Sequence, residues 1–244
     1  MDEIYTSQDL AALYDALNPA RDDTAFYLRI AGASKRVLDL GCGTGLLACM
    51  LADEGHMVTG VEPARAMLDV ARNRSGAENV RWIEGDARSL DLGETFDLVI
   101  MTGHVFQVFH SDEDVSRVLK TALHHLDSGG RLVFESRNPE ARAWDDWISE
   151  KTAKTVSVEG IGEVDVQHRL ISVDGDLVSF ETDHFFRKTG KVMINHSRLR
   201  FLSQSEIGTQ LRNAGFARIV WYGDWLEGPV GSDSPELIVI AERG

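Results

Sequence analysis

Apolar positions change period several times along the chain, and each change predicts an element. Over residues 6–30, Leu10, Leu13, Tyr14 and Leu17, then Phe26, Tyr27 and Ile30, recur at helical spacing around a break at Asn18-Pro19. Two short helices are predicted there. Val37-Leu38-Asp39-Leu40 is a short apolar run that meets Gly41-Cys42-Gly43-Thr44-Gly45, the pattern of a buried strand entering a tight turn. Strong helix formers follow over 46–52, with Gly55 as a stop. The same grammar then predicts a strand over 57–61 and a helix over 63–74 with Pro63 in its first turn. Strands over 80–83 and 96–101, a helix over 115–126, and a strand over 131–135 after Ser128-Gly129-Gly130 complete the run. Strands alternating with helices at this interval predict a doubly wound α/β fold, a mostly parallel sheet covered on both faces.

After Glu135 the pattern changes. Residues 155–158, 164–173, 177–186 and 192–201 read as strands with almost nothing helical between them, and Asp174-Gly175 and Thr189-Gly190 supply hairpin turns. Such short turns leave no room for crossover helices, so an antiparallel meander is expected. A helix over 204–213 stopped by Gly215, then strands over 218–222 and 237–241, return to the core. The expected organisation is a core of residues 1–137 and 201–244, with residues 1–30 as a helical cap. Residues 138–200 form an antiparallel β insertion that acts as a substrate lid.

Composition narrows the function. The 244 residues are 43% hydrophobic and 26% charged, within the globular range, and the net charge is −14. That excess repels phosphate backbones and anionic lipids, and no block of consecutive Lys or Arg offsets it, so nucleic acid is not an expected partner. No apolar run approaches the length of a membrane span, and the N-terminus Met1-Asp2-Glu3 is acidic where a secretory signal is basic. A cytoplasmic protein is expected. Cys42 and Cys49 lie too close in a helical stretch to bridge, and without a Cys/His pair beside them they make a poor zinc site. His168, His184 and His196 fall on different strands, and no metal is expected.

The three glycines at the end of the first strand clear side chains from every second position, letting a ligand approach backbone at a helix N-terminus. Their spacing is G-x-G-x-G; Leu46 stands where a dinucleotide-binding fingerprint needs glycine, and no Lys follows for a Walker-type loop. Glu62 ends the second strand, where a carboxylate accepts from both hydroxyls of a ribose. Gly85-Asp86-Ala87 follows the third, where a carboxylate and a backbone amide suit adenine. An adenosine ligand without a phosphate clamp satisfies all three.

In this order the residues resemble the class I S-adenosylmethionine-dependent methyltransferases. The likeness rests on the stretch from Val37 to Gly45, on Glu62, on Gly85-Asp86-Ala87, on Phe96-Asp97-Leu98-Val99, and on Leu126-Asp127-Ser128-Gly129-Gly130. It covers residues 30–137 and 200–244 and implies a seven-stranded Rossmann-like sheet ending in an antiparallel hairpin. It also implies S-adenosylmethionine as cofactor, with S-adenosylhomocysteine as product. By position, Asp39, Gly41, Cys42, Gly43 and Gly45 would hold the methionine part, Glu62 and Pro63 the ribose, and Gly85, Asp86 and Ala87 the adenine, with Met67 packed on the ring or in the core. Met101, Thr102 and Gly103 would complete the wall. Leu199-Arg200-Phe201-Leu202-Ser203, Ala214-Gly215-Phe216, Tyr222-Gly223-Asp224 and Ser234-Pro235-Glu236-Leu237 look like the small-molecule branch of the family. Met101-Thr102-Gly103-His104 stands where nucleobase amino-methyltransferases carry N-P-P-[YF].

That resemblance makes His104 the candidate base and Tyr14 a candidate to reach the site, each against a packing role. Arg137 and Asn138 either orient substrate or start the insertion. His196 and Arg198 share a strand face that lines a pocket or simply alternates at the surface. The expected function is methyl transfer to a nitrogen or oxygen of a small molecule by a monomer or homodimer. The competing expectations are a non-catalytic module binding S-adenosylmethionine or another adenosine ligand, and a nicotinamide-dependent oxidoreductase.

Overall fold

A computed structural model describes residues 3–20 and 22–244. The first expected helix breaks into single turns, α1 (Glu3–Thr6), α2 (Gln8–Ala11) and α3 (Tyr14–Leu17), while the second forms as α4 (Asp22–Ala31). Single turns cannot hold themselves in water, and these are held by packing, with Leu10 and Leu13 fully buried.

The alternating region forms β1 (Arg36–Leu40), α5 (Leu46–Asp53), β2 (Met57–Glu62), α6 (Arg65–Arg72), β3 (Val80–Glu84), β4 (Phe96–Met101), α7 (Asp112–His124) and β5 (Leu126–Arg137). After single 3-10 turns at Pro139–Ala141 and Ala143–Asp146 come α8 (Ser149–Thr152), β6 (Lys154–Val158), β7 (Gly162–Asp174), β8 (Leu177–Phe186) and β9 (Lys191–Arg200). The chain closes with α9 (Gln204–Ala214), β10 (Phe216–Tyr222) and β11 (Glu236–Arg243).

The main sheet runs β10-β11-β5-β4-β1-β2-β3. Its first five strands pair in parallel, and β11 joins antiparallel between β5 and β10, which is the expected seven-stranded Rossmann-like order. Period-two alternation sends Val99 and Met101 of β4 to one core layer, with Val115, Val118 and Leu119 of α7 and Ile207 and Leu211 of α9. Leu98 and Ile100 face the other layer, with Leu47, Ala48 and Leu51 of α5 and Phe26 and Tyr27 of α4. Strand order reverses direction of growth at β1 and β4, and ligands of such sheets bind outside the carboxyl ends of the strands at that switch point.

Local chemistry moves several boundaries. Ser111 accepts the Asp114 amide at 3.1 Å and starts α7 three residues before the apolar repeat at Val115. Ser203 and Glu206 form a capping box for α9, and Gly215 ends it at φ 110°. Ser128-Gly129-Gly130 does not precede β5 but lies inside it as an irregularity, because Phe96 already pairs with Leu126 before the register shift.

The second sheet runs β6-β7-β8-β9, all antiparallel. Asp174 pairs with Leu177, so the first hairpin turns on Gly175-Asp176, one residue later than expected. The inner face of this sheet packs Val164, Val166 and Phe186 on Leu10, Leu13 and Leu17 of the N-terminal helices. Among the described residues no helix is long and apolar enough to cross a membrane.

Candidate active site

At the carboxyl ends of β1 to β4 the loops enclose a cavity of about 320 Å³ whose floor is Gly41 and Gly43. Glu62 and Pro63 form one wall, Asp86 to Arg88 another, and Thr102 and Gly103 a third, while Tyr5 and Tyr14 close it from the N-terminal helices. Gly41 has φ 78°, and a Cβ there would stand 2.7 Å from Cγ2 of Val105. Glycine is therefore required both by conformation and by space. The Glu62 carboxylate is nearly buried and fixed by backbone: Oε2 accepts the Gly43 amide at 3.1 Å and Oε1 accepts the Ala64 amide at 2.9 Å. Burial raises its pKa while the two amides oppose the rise. Each oxygen keeps capacity for a second donor on the cavity side.

A second cavity of about 190 Å³ lies beneath the β insertion and shares Tyr5, Tyr14, Gly103 and Val108 with the first. His104 stands at its edge in the left-handed region, φ 63°. Its amide donates to Oε1 of Glu135 at 2.6 Å, and the Tyr27 hydroxyl donates to the other oxygen of that buried carboxylate. Strain at a non-glycine residue is thus held by two strong hydrogen bonds, a pattern typical of working sites. The His104 ring meets Glu236 through Nε2, 3.0 Å from Oε1 and 3.1 Å from Oε2. An imidazole oriented by a carboxylate is a unit able to take up a proton. Tyr14 is the opposite case: burial and the nearby Glu62 push its phenol up to about 12, so it stays a neutral hydroxyl.

The family described as a methyltransferase domain matches residues 37–130. Cypemycin N-terminal methyltransferase from Streptomyces sp is 28% identical over 215 residues, 86% of this chain and 83% of its own length. Malonyl-[acyl-carrier protein] O-methyltransferase from Bacillus anthracis is 34% identical over 113 residues, but this is only 45% of this chain and 40% of the relative. The structure of an amino pentose methyltransferase from Micromonospora echinaspora with bound S-adenosylmethionine superposes with a TM-score of 0.75 at 26% identity. That match covers 96% of this chain and 95% of the other.

Residues 37–130 carry a methyltransferase domain, and the chain as a whole is similar to S-adenosylmethionine-dependent methyltransferases.

The nicotinamide alternative gives way to this assignment. The methyltransferase's own residues fit the cofactor: a glycine floor that a Cβ would fill, a carboxylate pinned with spare acceptor capacity, and acidic walls suited to a ligand bearing positive charge. Gly41, Gly43, Glu62, Pro63, Met67, Asp86, Ala87, Thr102, Gly103 and Tyr14 all line the first cavity. Asp86 is already engaged by Arg88 in a two-pronged ion pair, which holds its carboxyl low, and Arg88 also reaches Asp114 at 3.1 Å. Asp39, Cys42, Gly45, Gly85 and Met101 are not on the wall. Asp39 is buried beneath the turn with Oδ1 unpartnered, and burial followed by the charges of Glu62 and Glu135 pushes its carboxyl up to about 7. Gly45 faces the Trp82 ring, Gly85 packs near Leu90 and Val61, and Met101 is in the core. Both cysteines are free and buried, Cys42 with its sulfur 3.0 Å from where a Cβ on Gly60 would stand.

Of the residues expected to meet substrate, Arg137 lines the second cavity. Asn138 instead ties down the loop before β11, donating to the carbonyls of Gly231 and Ser234 at 3.2 and 3.0 Å. His196 falls on the outer face of the insertion sheet beside Glu181. Strand period two then turns its neighbours Asn195 and Ser197 inward to the cavity. Arg198 lies at the rim of the first cavity, where its carbonyl meets His110 Nε2 at 2.7 Å. His168 lines the second cavity and bonds Thr182 Oγ1 at 2.9 Å, whereas His184 is fully buried. Among the described residues no three acids, histidines or cysteines converge as a metal site would require.

Sequence reasoning missed Tyr5, Gln107, Glu135 and Glu236. Glu135 carried a signal, since a carboxylate inside a continuously apolar strand needs a buried partner. Glu236 stood in the quoted Ser234-Pro235-Glu236-Leu237 without a role, because only the sheet brings β11 beside the loop after β4.

Proposed function

We propose that this methyltransferase methylates the nitrogen of a small amine. The observation that carries the reading is the joint between the two cavities: Tyr5, Tyr14, Gly103 and Val108 belong to both. An acceptor under the insertion therefore lies one shared layer of side chains from the cofactor cavity. The choice of nitrogen is supported by the relatives that align over most of the chain, which are named for N-terminal and amino pentose methylation, while the O-methyltransferase likeness covers only 45% of it.

S-adenosylmethionine, when bound, supplies a methyl group already activated on a sulfonium sulfur. Alignment and exclusion of water are then the protein's main tasks, and proximity of this kind contributes up to about 7–11 kcal/mol. The insertion, closing on α2 and α3 through Leu10, Leu13 and Leu17, serves as the roof that excludes water. His104, donating from Nε2 to Glu236, keeps Nδ1 to accept the proton an ammonium acceptor must lose. Glu62 holds the ribose and the Gly41–Gly43 floor the amino-acid part.

The test is a panel of small primary amines and matched alcohols with S-adenosylmethionine, read by S-adenosylhomocysteine release and by product mass and NMR. Methyl gain on nitrogen is expected. Transfer confined to hydroxyls would refute the nitrogen reading, and tight cofactor binding without transfer to any member would favour a non-catalytic module.

A further inference from the structure

The two cavities are sorted by charge. Glu62, Asp86 and Asp114 face the first, where Arg88 is consumed by the latter two and Arg198 stands at the rim. The second has Arg137 and Lys154 in its wall and no Asp or Glu among its described lining residues, in a protein of net charge −14.

Arg137 is held in a way that leaves one edge open. Its Nη1 donates to Oε1 of Gln107 at 3.0 Å, and Gln107, fully buried, donates in turn to the Arg200 carbonyl at 3.0 Å. The guanidinium also lies over the Trp147 ring, 5.7 Å from its centroid. Nε and Nη2 have no hydrogen-bond partner among the described residues, yet they are not sealed-off buried atoms. The neighbouring acids are committed elsewhere. Glu135 takes the Tyr27 hydroxyl and the His104 amide, Glu236 takes the His104 ring, and neither pairs with Arg137. A desolvated guanidinium with no bonded counter-ion is costly; burial weakens its hold on its proton, and the charges of Glu236 and Glu135 nearby only partly oppose this.

We propose that the methyl acceptor carries a carboxylate, bound side-on by Nε and Nη2 of Arg137. The planar fork matches two carboxylate oxygens, and Gln107 and Trp147 preset it. The apolar Val166, Phe180 and Leu199 would cover the acceptor's body. This rests on reading the second cavity as the acceptor site, and its test does not depend on methyl transfer.

The complex of the protein with S-adenosylhomocysteine is titrated calorimetrically with 3-phenylpropanoate, 3-phenylpropan-1-ol and 3-phenylpropyl phosphate, against native protein, Arg137→Lys and Arg137→Met. The acid should bind about tenfold to a hundredfold tighter than the alcohol. That margin should shrink in Arg137→Lys and vanish in Arg137→Met, with S-adenosylhomocysteine affinity unchanged. Equal binding of acid and alcohol to native protein overturns the proposal without need of a variant. A margin that survives Arg137→Met removes Arg137 from the site, and tighter binding of the phosphate ester than of the acid replaces the carboxylate. If the acid binds through Arg137 but only hydroxy acids are methylated, the carboxylate site stands and the amine reading falls.

Discussion

Replacing Glu62 by Gln separates what the carboxylate does for the fold from what it does for the cofactor. Two backbone amides, from Gly43 at 3.1 Å and Ala64 at 2.9 Å, each need an acceptor. Gln offers one oxygen, and its NH2 group confronts the remaining amide. One buried donor left unpaired costs about 1–3 kcal/mol, partly offset because burial already disfavours the native charge. Against a usual stability of about 5–15 kcal/mol, the variant stays folded. On the ligand side, a charged acceptor for two ribose hydroxyls becomes one neutral acceptor, a loss of about 1.5–3 kcal/mol, or roughly 10-fold to 150-fold in Kd. Calorimetric titration with S-adenosylhomocysteine and with its 2′-deoxy analogue reads this directly. Native protein should prefer the ribose form, and the preference should shrink in Glu62→Gln. An undiminished preference for the 2′-hydroxyl in a folded variant refutes the ribose assignment.

Gly41→Ala adds a Cβ 2.7 Å from Val105 Cγ2 at φ 78°. It should lose about 2–4 kcal/mol in urea unfolding, from left-handed strain and overpacking together; Val105→Ala should return only the packing share, and full recovery would deny the backbone strain. Asp39, raised from 3.8 to about 7 in the folded protein, favours the fold fully below about pH 4, and that contribution is lost as pH rises through about 7. Asp39→Asn, neutral throughout, should gain on native protein by up to about 4 kcal/mol between pH 4 and 8, and a pH-independent difference in unfolding free energy would count against the burial argument. His104→Ala and Glu236→Ala should each lower kcat by about 100-fold to 10,000-fold at unchanged S-adenosylhomocysteine affinity, with the double variant no slower than the worse single one. Multiplicative losses would mean that the two side chains do not act as one unit.

The parallel core was readable because its signals are local: an apolar run, a glycine turn and a helix recur, and Glu62 and Asp86 sit at strand ends where the backbone delivers them to one rim. The second cavity was not. Its residues come from α1, α3, the loop after β4, β5 and all four strands of the insertion, with Glu236 of β11 behind His104, and no short-range pattern links them. His196 shows the limit within a single strand. Alternation marked a face, but only pairing of Glu181 with His196 in the register of β8 and β9 decides that this face is the outer one. The N-terminal helices broke at Ser7 and after Ala11 because packing on the insertion, absent from any local window, sets where Leu10, Leu13 and Leu17 must point.

Asp15 on α3 accepts the Thr44 hydroxyl at 2.5 Å and pairs with Arg74, fastening this helix to the glycine turn and the end of α6. The opposite side of the same segment is fastened to the insertion sheet by Leu10, Leu13 and Leu17, and Lys154 reaches the Leu17 carbonyl at 3.3 Å. Neither segment can lift without dragging or releasing the other. Under the proposed reading of the two cavities, loosening Asp15 should therefore speed cofactor exchange and acceptor exchange together.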